Sequence, residues 1–251
     1  MSAREQILGR IREALRKSAP IPGHTHADHP SANHPPHPPV PPAGAGRSAF
    51  ATPVIPLRPS AAARPWLPPG GVTPAEQWER FCAASTELKT AVQEFESVEA
   101  AHARLRELAT EQGWTGVASH HAPLTDAAIS ALGLPTLFTD GGYPVNDLEK
   151  CSVGITECDA LVAQTGSVLV TSRSTGGRAL SVLPPHHLVL ARRAQLVPDL
   201  GAALELAKAR YAPHWPSMIS FITGPSRTGD IERILVLGAH GPRQLTVFLL
   251  P

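Results

Sequence analysis

Two stretches near the C-terminus concentrate side chains suited to holding an anion. In the first, Gly154-Ile155-Thr156-Glu157-Cys158-Asp159-Ala160 is followed closely by Ala163-Gln164-Thr165-Gly166-Ser167. One strand ends in an acidic turn and the next in a Thr-Gly-Ser turn. Gly166 permits a sharp turn with positive φ. Thr165 and Ser167 present hydroxyls, and such a turn also offers backbone N–H groups to an anion. The same residues are equally those of an ordinary hairpin. In the second stretch, the apolar run Met218–Ile222 leads into Thr223-Gly224-Pro225-Ser226-Arg227-Thr228-Gly229-Asp230-Ile231-Glu232. Gly224 and Pro225 turn the chain, Ser226 and Thr228 add hydroxyls, and Arg227 adds a planar cationic fork that matches carboxylate or phosphate. Asp230 reads either as part of that cradle or as a helix cap. A further turn, Gly238-Ala239-His240-Gly241-Pro242-Arg243, brings a histidine and a second arginine. A tight structural connection explains this composition as well as a ligand loop does.

The candidate set is therefore Glu157 and His240 for proton transfer. For ligand binding it is Gln164, Thr165, Gly166, Ser167, Gly224, Pro225, Ser226, Arg227, Thr228, Asp230, His240 and Gly241. His186 and His187, after Pro184-Pro185, suit either acid–base work near neutrality or a place at a strand edge. Other templates fail: there is no Walker A loop, no GxGxxG and no HExxH, and the Gly224–Thr228 run lacks the last glycine of a nucleophile elbow.

The elements that must position these loops follow from pattern. Thr73-Pro74-Ala75-Glu76 combines an N-cap, proline at the first helical position and a capping-box glutamate. Trp78, Phe81, Cys82, Leu88, Val92 and Phe95 follow with helical spacing, which predicts one long helix to Phe95. A second helix is expected from about Val98 to Glu111, stopping at Gly113. Beyond it, short apolar strands (114–119, 152–155, 160–162, 167–171, 187–191, 218–222, 235–237 and 245–250) alternate with helices at 126–132 and from the Asp199 cap to about Arg210. This alternation predicts an α/β fold with helices on the faces of a sheet. Loops at the carboxyl ends of strands in open α/β sheets form the usual ligand crevice.

The first 69 residues differ in kind. Ser2–Lys17 reads as a short amphipathic helix, basic on one face and carrying Ile7, Leu8, Ile11 and Leu15 on the other. Residues 18–69 hold fifteen of the 27 prolines, which excludes a regular helix or central strand. An extended linker is expected there, dotted with His24, His26, His29, His34 and His37 but lacking a fixed ligand set for a metal. The domain expectation is thus 1–17, 18–69 and 70–251.

Bulk properties narrow the function. A net charge of +1 gives no general field for nucleic acid. The charged N-terminal pattern is not an apolar leader, and no run reaches the ~20 apolar residues of a membrane span, so a cytoplasmic protein is expected. Three cysteines without a CxxC pair cannot by themselves supply the four thiolates of an iron–sulfur cluster.

The spans Gly154–Thr171, Leu183–Leu190 and Thr223–Pro242 resemble, in order and in five unlike motifs, the lactate-utilisation protein C family, a LUD-domain group. The resemblance covers about residues 73–251. It implies an α/β fold of the NagB/RpiA/CoA-transferase-like kind, with a mostly parallel open sheet and an N-terminal helix on a Pro-rich linker. It also implies work with two iron–sulfur partner proteins in oxidising L-lactate, with no cofactor in this chain. The family usually has glutamate where Gln164 stands, which leaves Glu157 as the acidic candidate, and alanine is common at Gly229. Two functions stay open. One is an accessory subunit holding a small anion or a partner through the 164–167 and 224–232 loops. The other is a stand-alone enzyme for a CoA-linked, phosphorylated or folate-like molecule, with Glu157 as acid/base and Arg227 as clamp. A ligand sensor is a weaker third.

Overall fold

A computed structural model describes residues 68–228, 236–238 and 240–251. The expected N-terminal helix, nearly all of the Pro-rich linker, and Gly229 and Asp230 lie outside the described residues.

Helix α1 (Pro74–Glu87) starts as its cap predicts: the Thr73 side chain accepts the Glu76 N–H, and Glu76 reaches back to the Thr73 backbone. It does not run on to Phe95. The chain turns through Lys89 at φ 67° and Ala91–Glu94 forms strand β1. The apolar spacing of Val92 and Phe95 fits a helix locally, but pairing with the last strand decides the matter. Short apolar runs are ambiguous in this way. Helix α2 (Val98–Gln112) is capped by Ser97 and ends on Gly113, as the sequence indicates.

The remaining elements are β2 (Val117–Ser119), α3 (Pro123–Leu132), β3 (Thr136–Phe138), α4 (Val145–Glu149), β4 (Val153–Thr156), β5 (Ala160–Val162), β6 (Ser167–Thr171), β7 (His186–Arg192), β8 (Leu196–Val197), α5 (Leu200–Tyr211), β9 (Ile219–Ile222), β10 (Arg227–Thr228), β11 (Val236–Leu237) and β12 (Gln244–Leu250). A 3₁₀ turn, Arg193–Gln195, links β7 to β8. The sequence reading lacked β3, α4, β8 and β10, each five residues or fewer, too short to show a period.

Six strands form a parallel sheet in the order β1-β12-β7-β4-β2-β3. Four more form a second, mixed sheet in the order β8-β5-β6-β9, and β10 pairs with β11 as a small antiparallel ribbon. Alternation along the long central strands feeds two cores. Leu188, Leu190, Phe248 and Leu250 face Ala101, Leu105, Leu124 and Ala128 of α2 and α3. Val189, Ala191, Val247 and Leu249 face Phe81 of α1 together with Leu161, Val168 and Val170 of the four-stranded sheet. Successive strand side chains point to opposite faces, so one strand serves both layers. Helix α5 packs Ala203, Ala207 and Tyr211 on the far side of the small sheet, against Ala160, Val162 and Leu169. Each such fully buried large side chain stabilises the fold by about 1.5–3 kcal/mol. The expected α/β architecture with a parallel sheet is therefore present. Its second face is covered by a sheet as well as by a helix.

Among the described residues no helix is long and apolar enough to cross a membrane.

Candidate functional site

The order of the parallel sheet locates a crevice. From β2 the chain crosses outward through α3 to the edge strand β3. It then returns through α4 to β4, on the other side of β2. The carboxyl ends of β2 and β4 are thus a topological switch point, the usual place for a ligand in an open α/β sheet. A polar cleft of about 320 Å³ lies there. Its working residues are His120, Glu157, Asp159, Arg173, Arg210 and Tyr211.

His120 follows β2 directly and is buried. Its Nε2 accepts the Glu157 N–H at 3.3 Å, and burial pushes its pKa below the ordinary histidine value. The ring is therefore neutral, with Nε2 as acceptor. Glu157 follows β4. Its Oε1 accepts the Leu124 N–H at 2.8 Å, which caps a helix whose own N-cap, Ala122, supplies no side chain. The carboxylate sits at the positive end of α3, where negative charge is favoured. His121, next in the chain, is exposed, stacks on Phe138 and pairs through Nδ1 with Asp126 at 2.9 Å.

Asp159 lies two residues further on and is fully buried. Its Oδ1 accepts from Arg210 Nη1 at 2.7 Å and from the Tyr211 hydroxyl at 2.5 Å. Its Oδ2 is buried and has no hydrogen-bond partner. The Tyr211 hydroxyl also meets Thr171 Oγ1 at 3.3 Å, and burial together with Asp159 pushes that phenol's pKa up. Arg210 remains half-exposed. Arg173 lies over the Tyr211 ring, 5.4 Å from its centroid, and donates to the His214 carbonyl at 3.0 Å. Hence two carboxylates, two guanidiniums, a phenol and a neutral imidazole share one cleft.

The loops singled out from the sequence are brought together, but elsewhere. Thr165 Oγ1 and Ser167 Oγ are 2.8 Å apart, and Ser167 Oγ is 2.8 Å from Thr223 Oγ1. This chain of hydroxyls ties the Thr-Gly-Ser turn to the end of β9. Gly166 adopts φ 62°, and a Cβ there would lie 2.8 Å from the Ser85 nitrogen at the end of α1. The turn is tight because two backbones meet in it. The Ser226 N–H donates to the Pro242 carbonyl at 2.8 Å, and the Gly238 N–H to the Ser226 carbonyl at 2.9 Å. Gly241 lies against Ser226, so the 224–228 and 238–242 turns also join. The Gln164 amide donates to the Pro68 carbonyl at 2.7 Å. Gly224 and Pro225 are buried, whereas Arg227 and His240 are exposed.

Of the two proton-transfer candidates, Glu157 lies in the cleft and His240 does not. Glu157 and Arg227 are not brought together: Glu157 precedes the start of β5, while the hydroxyl chain lies beyond its end. The five residues of β6 separate these ends by roughly 13 Å at ~3.3 Å per residue. The strand before Gly224 belongs to the mixed sheet, where its neighbour β6 is antiparallel, so the crevice rule for parallel strands does not reach it. His186 and His187 are buried within β7, with Nε2 at 2.8 Å from Thr246 and Thr156 hydroxyls respectively. Burial pushes their pKa values down to about 4 and about 3, so both are neutral core residues.

His120, Asp159, Arg173, Arg210 and Tyr211 escaped the sequence reading. They come from four separate places in the chain and form no motif. The one available signal was the acidic pair Glu157 and Asp159 directly after a strand. Cys158 and Cys151 are buried in different cores, and burial raises both thiols. Among the described residues no three His, Cys, Asp or Glu side chains converge as a metal site.

Residues 145–250 match the LUD domain, which bears out the resemblance over that span. The chain is 39% identical over 106 residues to Lactate utilization protein C of Halalkalibacterium halodurans, covering 41% of this chain and 46% of that protein. The protein of that name from Anoxybacillus flavithermus is 34% identical over 112 residues, 45% of this chain and 50% of the relative. That from Bacillus subtilis is 33% identical over 112 residues, 44% and 47%. The chain thus spans about half the length of the curated relatives it matches. A crystal structure of a DUF162 family protein from Deinococcus radiodurans shares the fold, with a TM-score of 0.55 at 19% identity, over 72% of this chain and 100% of that one.

Proposed function

We propose that this chain serves the utilisation of L-lactate as a subunit beside iron–sulfur partner proteins. In this reading the cleft between β2 and β4 holds a small carboxylate, and the 164–167 and 224–232 loops face the partner. The likeness of the LUD domain to proteins named for lactate utilisation supports the process. One observation carries the division of labour. Asp159, Arg210 and Tyr211 meet in a cleft at the switch point, whereas the hydroxyls of Thr165, Ser167 and Thr223 satisfy one another. Arg227, His240 and Arg243 remain exposed at that second end, where polar side chains suit an interface rim. The iron–sulfur clusters belong to the partners, and the residues of this chain bind and orient.

Deleting the chain from its host should abolish growth on L-lactate as sole carbon source and leave growth on glucose intact, with recovery on re-expression. Undiminished growth on lactate after deletion contradicts the proposal. The purified single chain, free of iron and flavin, should reduce no dye with lactate. Robust lactate-dependent reduction by it also contradicts the proposal.

A further inference from the structure

We infer that the free edge of strand β9 is a homodimer interface. A second copy of this chain pairs with it antiparallel, about a two-fold axis at Ser220, and continues the sheet β8-β5-β6-β9 across the axis. The inference is independent of the ligand reading above.

Strand β9 ends the four-stranded sheet and pairs on one side only, with β6. The Ser172 N–H donates to the Met218 carbonyl, and the register continues from there to Val168 opposite Ile222. Backbone groups alternate in direction along an antiparallel strand. Met218, Ser220 and Ile222 therefore bond β6, and the N–H and C=O groups of Ile219 and Phe221 point away from it. Among the described residues these outward groups have no backbone partner. Arg178 Nη2 donates to the Ser217 carbonyl at 2.9 Å, and the free edge begins just after it.

Proteins protect sheet edges by brevity, charge or proline. The other edges here comply. β8 has two residues, and β3 has three and leads to Asp140. β1 ends in Glu94 and follows Lys89 closely. β9 has no such device: residues 212–226 contain no Asp, Glu, Lys or Arg, and residues 217–224 contain no proline. Its surroundings are apolar as well. Ile219 lies on the same face as Phe221 and is exposed, and exposed Trp215 precedes the strand. Arg210 turns from α5 toward Asp159 at the start of β5. Exposed Leu204, on the opposite flank of that helix, therefore overlooks β9.

The strand's own sequence favours a second copy as occupant. An axis at Ser220 sets Ile219 opposite Phe221 of the second copy, and Phe221 opposite its Ile219. Both pairs carry outward backbone groups, so each exchanges both of its N–H···O bonds. Ser220 then meets Ser220 in a non-hydrogen-bonded pair, with Cα atoms about 4.5 Å apart and side chains at their closest. Serine is small enough for that place, and facing hydroxyls bond across strands. An uncharged strand also meets its own copy without like-charge repulsion. Residues 18–69, rich in proline, make a poor ladder partner because proline brings no N–H.

Sedimentation of the full chain at micromolar concentration should give twice the 26.5 kDa of one chain. Ile219→Pro removes an outward N–H and leaves the β6 ladder its bonds. It should weaken the dimer by about tenfold or more, with the circular dichroism spectrum kept. Ile219→Lys, which places no constraint on the backbone, should do the same through like charges near the axis. In a Cys82→Ser background, Ser220→Cys should give a covalent dimer on mild oxidation, since opposed Cα atoms about 4.5 Å apart lie within the span of a disulfide. Arg227→Cys, at the other end of the sheet, should give none. A monomeric wild type overturns the inference. So does a dimer that neither Ile219 variant weakens, or a dimeric Ser220→Cys chain that forms no cross-link.

Discussion

The two ends of the four-stranded sheet use polar residues for opposite purposes. At the end where β5 begins, Asp159, Arg210 and Tyr211 form a charged cluster that is incomplete, with one carboxylate oxygen unpaired and one guanidinium half in solvent. At the other end, Thr165, Ser167 and Thr223 close a chain of hydroxyls among themselves, and Gly166 lets that turn press on the end of α1. The second end is dense in the residues that make a motif, yet its chemistry is spent on joining backbones. The first end has no motif, because its residues come from α5 and from the segments after β2, β4 and β6. A concentrated Gly/Ser/Thr run signals close approach of chains, and close approach serves a fold as readily as a ligand.

Substitution and pH separate these two roles, and the largest effect expected belongs to neither end. His186 and His187 are neutral in the folded sheet, with pKa values pushed down to about 4 and about 3. Unfolded, each ring takes up a proton as pH falls below about 6.5. The unfolded state then binds more protons than the folded one, so stability is full above that pH and falls below it, reaching a loss of about 2 kcal/mol per ring at pH 5. Denaturant unfolding at pH 7 and pH 5 should show this slope, and His187→Gln should remove about half of it. A pH slope unchanged by that substitution would contradict the assignment of the acid sensitivity to these two rings.

Next is Gly166→Ala. A Cβ there would lie 2.8 Å from a backbone nitrogen at a positive φ, so a loss of about 3 kcal/mol is expected, read as a lowered denaturation midpoint. A neutral result would mean that the turn is free to move and that the tight-junction account is wrong. Ser167→Ala should cost about 1 kcal/mol, since it leaves two partner hydroxyls without their shared bond. Arg227→Ala, on an exposed side chain, should stay within about 0.5 kcal/mol of the wild type. A large loss there would show that Arg227 belongs to the junction.

Much of the fold was legible in the sequence. The Thr73 capping box, the Asp199 cap and the strands 160–162 and 167–171 lie where pattern puts them. The path of residues 88–95 was not legible, because β1 exists through its register with β12: Val92 sits opposite Val247, a partner 155 residues away. The site was legible only at Glu157. Sequence reading weighted local density, which found the junction. The cleft depends on the strand order β4-β2-β3, and no local pattern contains it. Gln164 illustrates the same point: its amide holds the Pro68 carbonyl, a contact that explains an uncharged residue at that position without any ligand.

In the proposed function the cleft, and not the hydroxyl junction, receives the ligand. This is tested most directly by measuring L-lactate affinity of the wild-type chain, Asp159→Asn and Arg227→Ala side by side, with a folded baseline confirmed for each. At least roughly fivefold weaker binding is expected for the aspartate variant, which loses the charge that holds Arg210 and the Tyr211 hydroxyl in place, and no more than about a twofold change for the arginine variant. Affinity lost in Arg227→Ala and kept in Asp159→Asn would contradict it and move the ligand to the 224–232 loop.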